Sequence, residues 1–260
     1  MKQEPGSFPE RQQRILEIAL TQPFVRVKEL AQTIGAHEMT IRRDLQDLSD
    51  RGLLERQHGG ARLIAESGNE IAYGLRAAQQ TQAKARIARA ALELIHTEDT
   101  IGLDASTSAL ALAQLLPPRT VNVVTTGLDT AYLLANKGVP FTLAGGGFHA
   151  KARSFVGGMA SAGLSRLHVD TVFFSAKGFT IASGFTDAHM PEVEAKEQLI
   201  ATARRVVALL DHSKFGADAF SQIVPLERVQ VVITDQEPSP EIQDAFKTAN
   251  VRLIVAQEKP

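Results

Sequence analysis

Apolar side chains recur at helical spacing in three stretches near the N-terminus. The first stretch, over 11–20, stops before Pro23, because proline lacks a backbone donor and restricts the residue that precedes it. The second, VKELAQTIGA, predicts a short helix that ends at Gly35, since glycine readily adopts the left-handed conformation found at helix ends. The third, MTIRRDLQDLSDRG (39–52), gathers its apolar side chains on one stripe and predicts an amphipathic helix.

The polar face of this third helix begins with two adjacent arginines, Arg42 and Arg43. One interpretation is a solvated helix face on which Arg43 pairs with Asp47, an i,i+4 interaction worth about 0.3 kcal/mol. The expected start of the helix, near His37, is also a weaker N-cap than serine or threonine. The alternative is a surface that binds DNA, and the residues that follow favour it.

The segment GLLERQHGGARLI (52–64) predicts two short strands joined at a glycine pair, which is typical of a β-hairpin. Helix, short helix, glycine turn, amphipathic helix and hairpin together describe a winged helix-turn-helix. A recognition helix buries one face and presents the other to the major groove, where arginine hydrogen-bonds guanine or contacts phosphate. The predicted DNA-binding residues on this helix and hairpin are Thr40, Arg42, Arg43, Gln46, Arg56, His58, Gly59, Gly60 and Arg62.

Beyond the hairpin the apolar pattern changes twice. Residues 64–82 lose the periodicity and are predicted to connect two domains. A helix resumes at Ala83, after which short apolar runs alternate with helical stretches, as expected for an α/β domain with a mostly parallel, covered sheet. The predicted fold class is therefore α/β, with a small winged helix-turn-helix domain over 1–63, a linker over 64–82 and a larger domain over 83–260.

Composition narrows the possible functions without selecting one. The 260-residue chain contains no cysteine, which excludes a disulfide framework, a zinc site built on thiolates and a cysteine nucleophile. Its formal net charge of -1 gives no global attraction to nucleic acid, so DNA binding has to come from a local patch. No apolar run approaches the roughly 20 residues that cross a bilayer, which favours a cytoplasmic protein without a membrane partner.

Small, hydroxyl and cationic residues follow several of the apolar runs. In open α/β sheets, ligands bind beyond the carboxyl ends of the strands, where the N-terminus of a helix can hold phosphate and glycine permits close approach. Each residue also has a simpler explanation as a helix cap, a turn or a surface lysine, but their coincidence favours a pocket for a phosphorylated polyol. The residues are Asp104, Ser106, Thr107, Ser108, Thr126, Gly127, Gly145, Gly146, Lys177 and Lys214.

An acidic group, Glu192 and Glu194 with Asp187 nearby, raises the question of catalysis or metal binding. On one helix the two glutamates point to different sides, and no histidine lies at a ligand-like spacing from them. We therefore predict no catalytic residues and no metal site. An i,i+4 pair between Glu192 and Lys196, solvated or reaching into the pocket, is the favoured interpretation, and it adds Lys196 to the candidate effector-binding residues.

Several motifs resemble the DeoR family of transcriptional regulators over nearly the whole chain. They are TIRRDLQDLSDRGLLERQHGGARL (40–63), LDASTSALALAQLL (103–116), LAGGGFHAKARSFVG (143–157) and RRVVALLDHSKFG (204–216). The resemblance implies a Rossmann-like effector domain similar to ribose-5-phosphate isomerase. It also implies a regulator, most often a repressor, that acts as a dimer or tetramer, binds double-stranded operator DNA near sugar-catabolic genes and releases it on meeting a phosphorylated sugar.

The same resemblance separates a sensor from an enzyme. Where the isomerase has a motif like Gly-Ala-Asp-Glu, whose carboxylates serve proton transfer, this chain reads Ser175-Ala176-Lys177-Gly178, so the general base is missing. Phosphate-binding elements are retained by resemblance at Asp104 to Ser108, Thr126-Gly127 and Lys214. The implication is a domain that binds without turnover or cofactor, although Lys177 departs from the Gly-Ala-Asp-Gly common in the family. The alternatives are an isomerase-like enzyme with a DNA-binding appendage and a regulator that responds to a protein partner.

Overall fold

The computed structural model describes residues 9–64 and 73–257. The chain divides into two compact units, Met1–Thr81 and Gln82–Pro260. Each is described by itself below. Within the described part of the chain, no helix combines the length and the apolar character needed to span a membrane.

The N-terminal unit is a winged helix-turn-helix. Gly35 ends the second helix in the left-handed conformation (φ 72°), as its position in the sequence predicts. The three short strands form one sheet in the order β1-β3-β2, with antiparallel pairing between neighbours. The elements are α1 (Glu10–Thr21), β1 (Val25–Arg26), α2 (Val27–Ile34), α3 (Glu38–Asp50), β2 (Leu54–Gln57), β3 (Gly60–Leu63) and α4 (Tyr73–Ala78).

Apolar faces of the three N-terminal helices and the hairpin form a single core. Ile41, Leu45 and Leu48, the predicted stripe of α3, are fully buried in it. Residues 73–78, part of the segment interpreted as a linker, form helix α4, whose Leu75 and Ala78 join the same core. Residues 65–72 of that segment lie outside the described residues.

The second unit is built on a seven-stranded sheet. All of its neighbouring strands pair in parallel, in the order β15-β14-β12-β9-β4-β5-β6. Its elements are α5 (Thr81–Leu92), β4 (Thr100–Leu103), α6 (Thr107–Leu115), β5 (Asn122–Thr125), α7 (Leu128–Lys137), β6 (Phe141–Leu143), β7 (Gly147–His149), β8 (Ser154–Val156), α8 (Gly158–Leu164), β9 (Val169–Phe174), β10 (Gly178–Thr180), β11 (Gly184–Asp187), α9 (Met190–Ala201), β12 (Ala203–Leu209), β13 (Ser221–Val224), β14 (Val231–Thr234), α10 (Pro240–Thr248) and β15 (Arg252–Val255).

The strand order reverses beside β4. From β4 the chain moves outward through β5 and β6, and it then returns to the other side of β4 with β9 and continues to β12, β14 and β15. Because the strands are parallel, their carboxyl ends all lie at one edge of the sheet, and the reversal opens a crevice between the loops after β4 and β9. This arrangement confirms the predicted α/β fold class.

Two smaller sheets flank the large one. The β7–β8 hairpin is attached to the loop after β5, because the Phe155 amide donates to the Thr126 carbonyl (2.8 Å) and Gly127 forms a bridge with Ser154. The second small sheet has the order β10-β11-β13 and buries Phe179 and Phe185 in the main core of the unit. Both sheets therefore place side chains at the carboxyl edge of the large sheet.

Candidate DNA-binding surface and effector site

Helix α3 begins at the position that the sequence predicts. His37 is its N-cap, and the Nδ1 atom of His37 accepts a hydrogen bond from the Met39 amide (3.2 Å). A ring nitrogen thus does the work that a serine or threonine hydroxyl does at a stronger N-cap. The exposed face of α3 follows directly from this start.

A buried carboxylate fixes α3 against α1. Asp44, which is 3% exposed, accepts from Arg11 through both carboxylate oxygens (2.5 and 3.1 Å), and Gln12 Nε2 lies 3.4 Å from it. The hydrogen bond to Asp44 raises the pKa of the Arg11 guanidinium above its usual value. Sequence reasoning missed this pair, because its partners are 33 residues apart and only the folded helices bring them together.

The polar side chains of α3 differ in how far they are already engaged. Arg42 is exposed but donates to Glu38 one turn earlier (2.6 Å), and Gln46 donates to Asp50 (2.8 Å). Arg43 is exposed and forms no ion pair or side-chain hydrogen bond with any residue that the structure describes. The Arg43–Asp47 pair of the solvated-face interpretation is not formed.

Thr40 lies in the first turn of α3 and is half-buried. It shares the helix with Arg43, and the two are neighbours at a spacing of three residues. The side chains predicted to contact DNA on α3 therefore lie on its outer side.

The wing presents fewer free groups than the sequence predicts. Arg62 pairs with Glu55 on the neighbouring strand (2.6 Å), and Arg56 donates to the Gly60 carbonyl (3.1 Å). His58 is exposed at the tip of the hairpin, beside Gly59, whose φ of 79° suits glycine. These positions keep His58 and Arg62 at the surface of the wing.

Gly60, which the sequence predicts to contact DNA, also has a structural role in the wing. It is buried, and a Cβ atom built on it lies 2.1 Å from the Val25 carbonyl oxygen and 2.6 Å from the Phe24 ring. No side chain fits where strand β1 crosses the hairpin this closely. Gly60 therefore shapes the wing from inside.

Asp104 stands at the end of β4, in the crevice where the strand order reverses. It is fully buried and accepts hydrogen bonds from the Ser106 amide (3.2 Å), the Ser106 hydroxyl (2.5 Å) and the Ser175 amide (3.1 Å). Burial raises the pKa of Asp104, against the attraction of Lys196 and these hydrogen bonds. The carboxylate thus joins the loops after β4 and β9.

Lys196 lies between two carboxylates rather than beside Glu192. Its Nζ atom donates to Asp187 (2.7 Å) and to the Ser175 carbonyl (2.9 Å) and lies 3.5 Å from Asp104. Although burial alone would lower its pKa, Asp187 and Asp104 hold the pKa of Lys196 above its usual value. The predicted Glu192–Lys196 pair was wrong, because β11 brings Asp187 closer to the amine than Glu192 on the same helix.

Lys177 is explained by the same carboxylate. Its Nζ atom lies 3.3 Å from Asp187, and its side chain is 18% exposed. Burial favours the protonated acid, but Lys196 and Lys177 outweigh it and lower the pKa of Asp187 well below its usual value. Lys177 therefore balances charge within this cluster of two carboxylates and two amines.

The N-terminus of α6 carries the hydroxyl residues Ser106, Thr107 and Ser108. Ser106 caps the helix by accepting from the Ala109 amide (3.1 Å). The amides of Thr107 and Ser108 belong to the first turn, which has no intrahelical acceptors for them. Their N–H groups and the partial positive charge of the helix end are suited to an anion.

The remaining predicted residues lie along the same edge. Thr126 and Gly127 follow β5 and are buried, whereas Gly145 and Gly146 follow β6. A Cβ atom on Gly146 lies 2.6 Å from the Val156 carbonyl oxygen, so this glycine serves the packing of the β7–β8 hairpin. Lys214 follows β12, is half-buried and forms no ion pair with a described residue.

Two groups at this edge were not predicted as site residues. Nδ1 of His212, after β12, lies 2.9 Å from Asp235 at the end of β14. Burial would raise the pKa of Asp235, but its hydrogen bonds, that from the His212 ring foremost, together outweigh this effect and lower it. Glu192 accepts from the Ser154 hydroxyl, and its Oε1 atom lies 3.4 Å from Nδ1 of His149. A histidine 43 residues away gives no signal in the local spacing around Glu192.

Comparison with known families gives this geometry its context. A model of the DeoR-like helix-turn-helix domain matches residues 11–67, and a model of the DeoR C terminal sensor domain matches residues 79–236. The chain belongs to the DeoR family. It is a transcriptional regulator with a helix-turn-helix domain and an α/β sensor domain, as the motifs at the N-terminus and the strand ends imply.

Individual DeoR-family relatives align over almost the entire chain. The uncharacterized HTH-type transcriptional regulator YulB of Bacillus subtilis is 34% identical, over 94% of this chain and 95% of the relative. The glycerol-3-phosphate regulon repressor of Escherichia coli is 30% identical, over 94% and 97%. Among solved structures, ribose 5-phosphate isomerase A of Methanocaldococcus jannaschii is similar over 53% of this chain and 55% of that one, with 18% identity and a TM-score of 0.41.

Proposed function

We propose that this DeoR-family regulator represses a sugar-catabolic operon and is released from its operator by a phosphorylated sugar. Because α4 packs in the core of the N-terminal unit, the proposed DNA-binding domain runs to residue 81 and the proposed sensor domain begins at residue 82, in place of a linker over 64–82. The similarity to the Escherichia coli glycerol-3-phosphate regulon repressor supports a phosphorylated polyol as the class of effector.

In this proposal, α3 and the wing bind double-stranded DNA. Arg43 is the principal candidate for reading bases, since it is exposed and unpaired among the described residues, and Arg42 reaches DNA by exchanging Glu38 for guanine or phosphate. Thr40, Gln46, Arg56, His58, Gly59 and Arg62 are proposed to contribute contacts that position the helix on the backbone.

The observation that carries the effector proposal is the N-terminus of α6 at the reversal of strand order. The amides of Thr107 and Ser108 and the nearby hydroxyls are proposed to bind the phosphate, with Lys214 adding charge from the loop after β12. Lys177, Thr126, Gly127 and Gly145 are proposed to line the rest of the pocket. Lys196 takes an indirect part, because two carboxylates already neutralise it.

Binding without turnover is the proposed behaviour of the sensor domain. Lys177 stands where the resemblance to the isomerase implies a carboxylate, and it is paired with Asp187, which keeps that aspartate ionised and engaged. An unengaged general base at this position is therefore not part of the proposed pocket.

The regulator is proposed to act as a homo-oligomer, a dimer at minimum, because operators with two-fold symmetry are bound by proteins with two-fold symmetry. Release from DNA is proposed to depend on how its subunits are arranged. Effector binding would favour a subunit arrangement whose winged helices no longer match the half-sites. A 100-fold loss of operator affinity requires the effector to prefer the released form by about 2.7 kcal/mol, which a few charge-assisted phosphate contacts can supply.

A thermal-shift screen with sugar phosphates and their unphosphorylated parents tests this proposal. A ligand at 100 times its Kd adds about 2.7 kcal/mol of stability, so one phosphate should raise Tm while its parent sugar does not. The variant Thr107→Pro removes one proposed N–H donor at the first helical position, where proline is tolerated and Ser106 already has extended geometry. Thr107→Ala is the matched control, because it loses the same hydroxyl but keeps the amide.

The expected result is a response that Thr107→Pro loses and Thr107→Ala largely keeps. Equal responses in the two variants would remove α6 from the phosphate site. No shift in the parent across a broad panel would favour the regulator that responds to a protein partner. Conversion of a sugar phosphate by the purified protein would favour the isomerase-like enzyme.

A further inference from the structure

Two histidines and a glutamate meet where the β7–β8 hairpin contacts the start of α9. His149 ends β7, His189 is the N-cap of α9, and Glu192 lies in the first turn of that helix. The imidazole rings of His149 and His189 are stacked, with centroids 3.9 Å apart and planes 8° from parallel. His149 comes from the hairpin, whereas His189 and Glu192 lie three residues apart at the start of α9; the expectation that no histidine lies at a ligand-like spacing from Glu192 was wrong. These three residues are called the His149 cluster below.

The separations within the His149 cluster are close to those of a metal site. One potential ligand atom from each residue lies within 4.8 Å of the other two. Bonds of about 2.0–2.2 Å in tetrahedral geometry place ligand atoms about 3.3–3.6 Å apart. Metal binding therefore requires the ligand atoms to approach one another by up to about 1.4 Å, and the two stacked rings must rotate so that their in-plane nitrogen lone pairs converge on the ion.

One ring nitrogen of the cluster has no hydrogen-bond partner among the described residues, and a metal ion can bind to it. Nδ1 of His189 is buried and has no hydrogen bond to any residue that the structure describes. Buried ring nitrogens are normally satisfied, so this atom needs an explanation. The stacked ring of His149 gives it apolar contact and no hydrogen bond.

The carboxylate of the cluster is already oriented. Glu192 is 6% exposed, and the Ser154 hydroxyl donates to its Oε1 atom. Hydrogen bonds of this kind to a ligating carboxylate are the usual second layer of metal sites. Ser154 also pairs through its backbone with Gly127, which places the cluster beside the proposed effector pocket.

We propose that His149, His189 and Glu192 bind one divalent transition-metal ion of the zinc class. Two imidazoles and one carboxylate suit Zn²⁺, whereas Mg²⁺ and Ca²⁺ prefer oxygen ligands. Three protein ligands leave a fourth position open. We assign this open position to an oxygen atom of the effector, an assignment that rests on the function proposed above. The metal ion and the phosphate site then bind two ends of one ligand.

Zinc binding to the full chain tests the metal site without any sugar phosphate. The protein is stripped with a chelator, and Zn²⁺ is titrated in competition with a chromophoric chelator; Mg²⁺ serves as the comparison ion. We expect one equivalent of tightly bound Zn²⁺ and no competition from Mg²⁺. His149→Ala, His189→Ala and Glu192→Gln should each weaken Zn²⁺ binding by about 100-fold or more, since loss of an outer partner alone costs 10–100-fold.

His168→Ala is the matched control, because His168 is exposed and lies outside the cluster. It should bind Zn²⁺ like the parent. Far-UV circular dichroism in chelator checks that each variant is folded, and His149→Gln and His189→Gln replace any alanine variant that is not. The visible spectrum of the Co²⁺ form gives a second readout, which should be lost with the same residues.

The proposal is overturned if the parent binds no Zn²⁺, or if folded variants of the cluster bind it as tightly as the parent. An equal loss in His168→Ala would also overturn it. A thermal shift with a sugar phosphate that persists in chelator, without Zn²⁺ binding, refutes the metal site and leaves the proposed function standing. Zn²⁺ binding without any sugar-phosphate response supports the metal site and counts against the proposed function.

Discussion

The two units of this regulator use cations in opposite ways. On α3 of the N-terminal unit, Arg42 and Arg43 are exposed, and within residues 9–64 and 73–257 only Arg42 of the two has an ionic partner. In the sensor unit, Lys196 is buried between Asp187 and Asp104. An exposed arginine remains available to a ligand, whereas a buried, compensated lysine holds its own domain together. The residue type alone therefore does not identify a binding site, and burial and partners decide.

The largest effect is expected when the buried cation is removed. Lys196→Ala leaves two buried carboxylates without their shared partner, and breaking a buried ion pair in this way costs about 3–5 kcal/mol. We expect a loss of that size in the free energy of unfolding of the sensor unit, measured by urea denaturation with far-UV circular dichroism.

Lys247→Ala is the control for Lys196→Ala. Its ammonium pairs with Asp244 at the surface, where both side chains are more than 70% exposed, so the change should stay within about 1 kcal/mol. Similar losses in the two variants would show that the buried cluster contributes no more than a surface pair.

A second variant tests whether the N-terminal unit also depends on one buried charge. Asp44→Ala removes the acceptor of the Arg11 guanidinium and should cost about 1.5–3 kcal/mol, the usual value of a hydrogen bond to a charged group. Hydrogen exchange should show faster exchange of amides in α1 and α3. Unchanged exchange there, with unchanged DNA affinity, would contradict the anchoring role of Asp44.

Arginine variants test whether the exposed cations of α3 bind DNA. If Arg43 reads a base, Arg43→Ala should cost about 1–3 kcal/mol of specific DNA binding, with little change in stability. Arg42→Ala should also reduce operator-specific binding, by a smaller amount, because Arg42 gives up its contact with Glu38 on binding. Fluorescence anisotropy with operator and scrambled duplexes measures both. A larger loss for Arg42→Ala would reverse this assignment, and unchanged specificity in both would misplace the recognition face.

Acid provides the gentlest perturbation of the buried cluster. The pKa of Asp187 is lower in the folded state than its usual value, so the folded protein binds fewer protons; the resulting stability is present above about pH 4 and is lost as pH falls toward the folded pKa. Asp104 has a raised pKa and acts in the opposite direction, since acid relieves the cost of its buried charge. One proton contributes a slope of at most about 1.4 kcal/mol per pH unit.

We therefore expect the free energy of unfolding of the parent to fall between about pH 5 and pH 3, and to fall less steeply in Asp187→Asn. Urea denaturation across this range measures the slopes. Equal slopes in the two proteins would show that another carboxylate, such as Asp235 with its lowered pKa, controls the acid response.

Local patterns in the sequence predicted the features that local interactions determine, such as helices and turns. The stripe of Ile41, Leu45 and Leu48 and the turn at Gly35 follow from helical spacing and backbone freedom, and the structure confirms them. The alternation of apolar runs and helices was enough to predict the parallel sheet. Helix α4 was missed, because its buried residues pack on partners that its own short pattern does not contain.

The contacts that organise the candidate site were not predictable in the same way. Lys196 has Glu192 at helical spacing, yet it pairs with Asp187 from a different strand. His149 reaches Glu192 from 43 residues away through the attachment of the hairpin to the loop after β5. Side-chain partners across elements depend on how strands are ordered, and the local pattern of hydrophobic and polar residues does not reveal that order.

The placement of every sheet strand with its carboxyl end at one edge has a consequence for how such a sensor changes during evolution. The loops after β4, β5, β9 and β12 can each be replaced while the buried strands beneath them stay the same. New ligand preferences can then arise through changes in these loops while the strands stay the same, although the loops after β4 and β9 are coupled through Asp104. Lys177, in the loop after β9, shows how one such loop residue is accommodated, because the carboxylate of Asp187 lies within 3.3 Å of its amine.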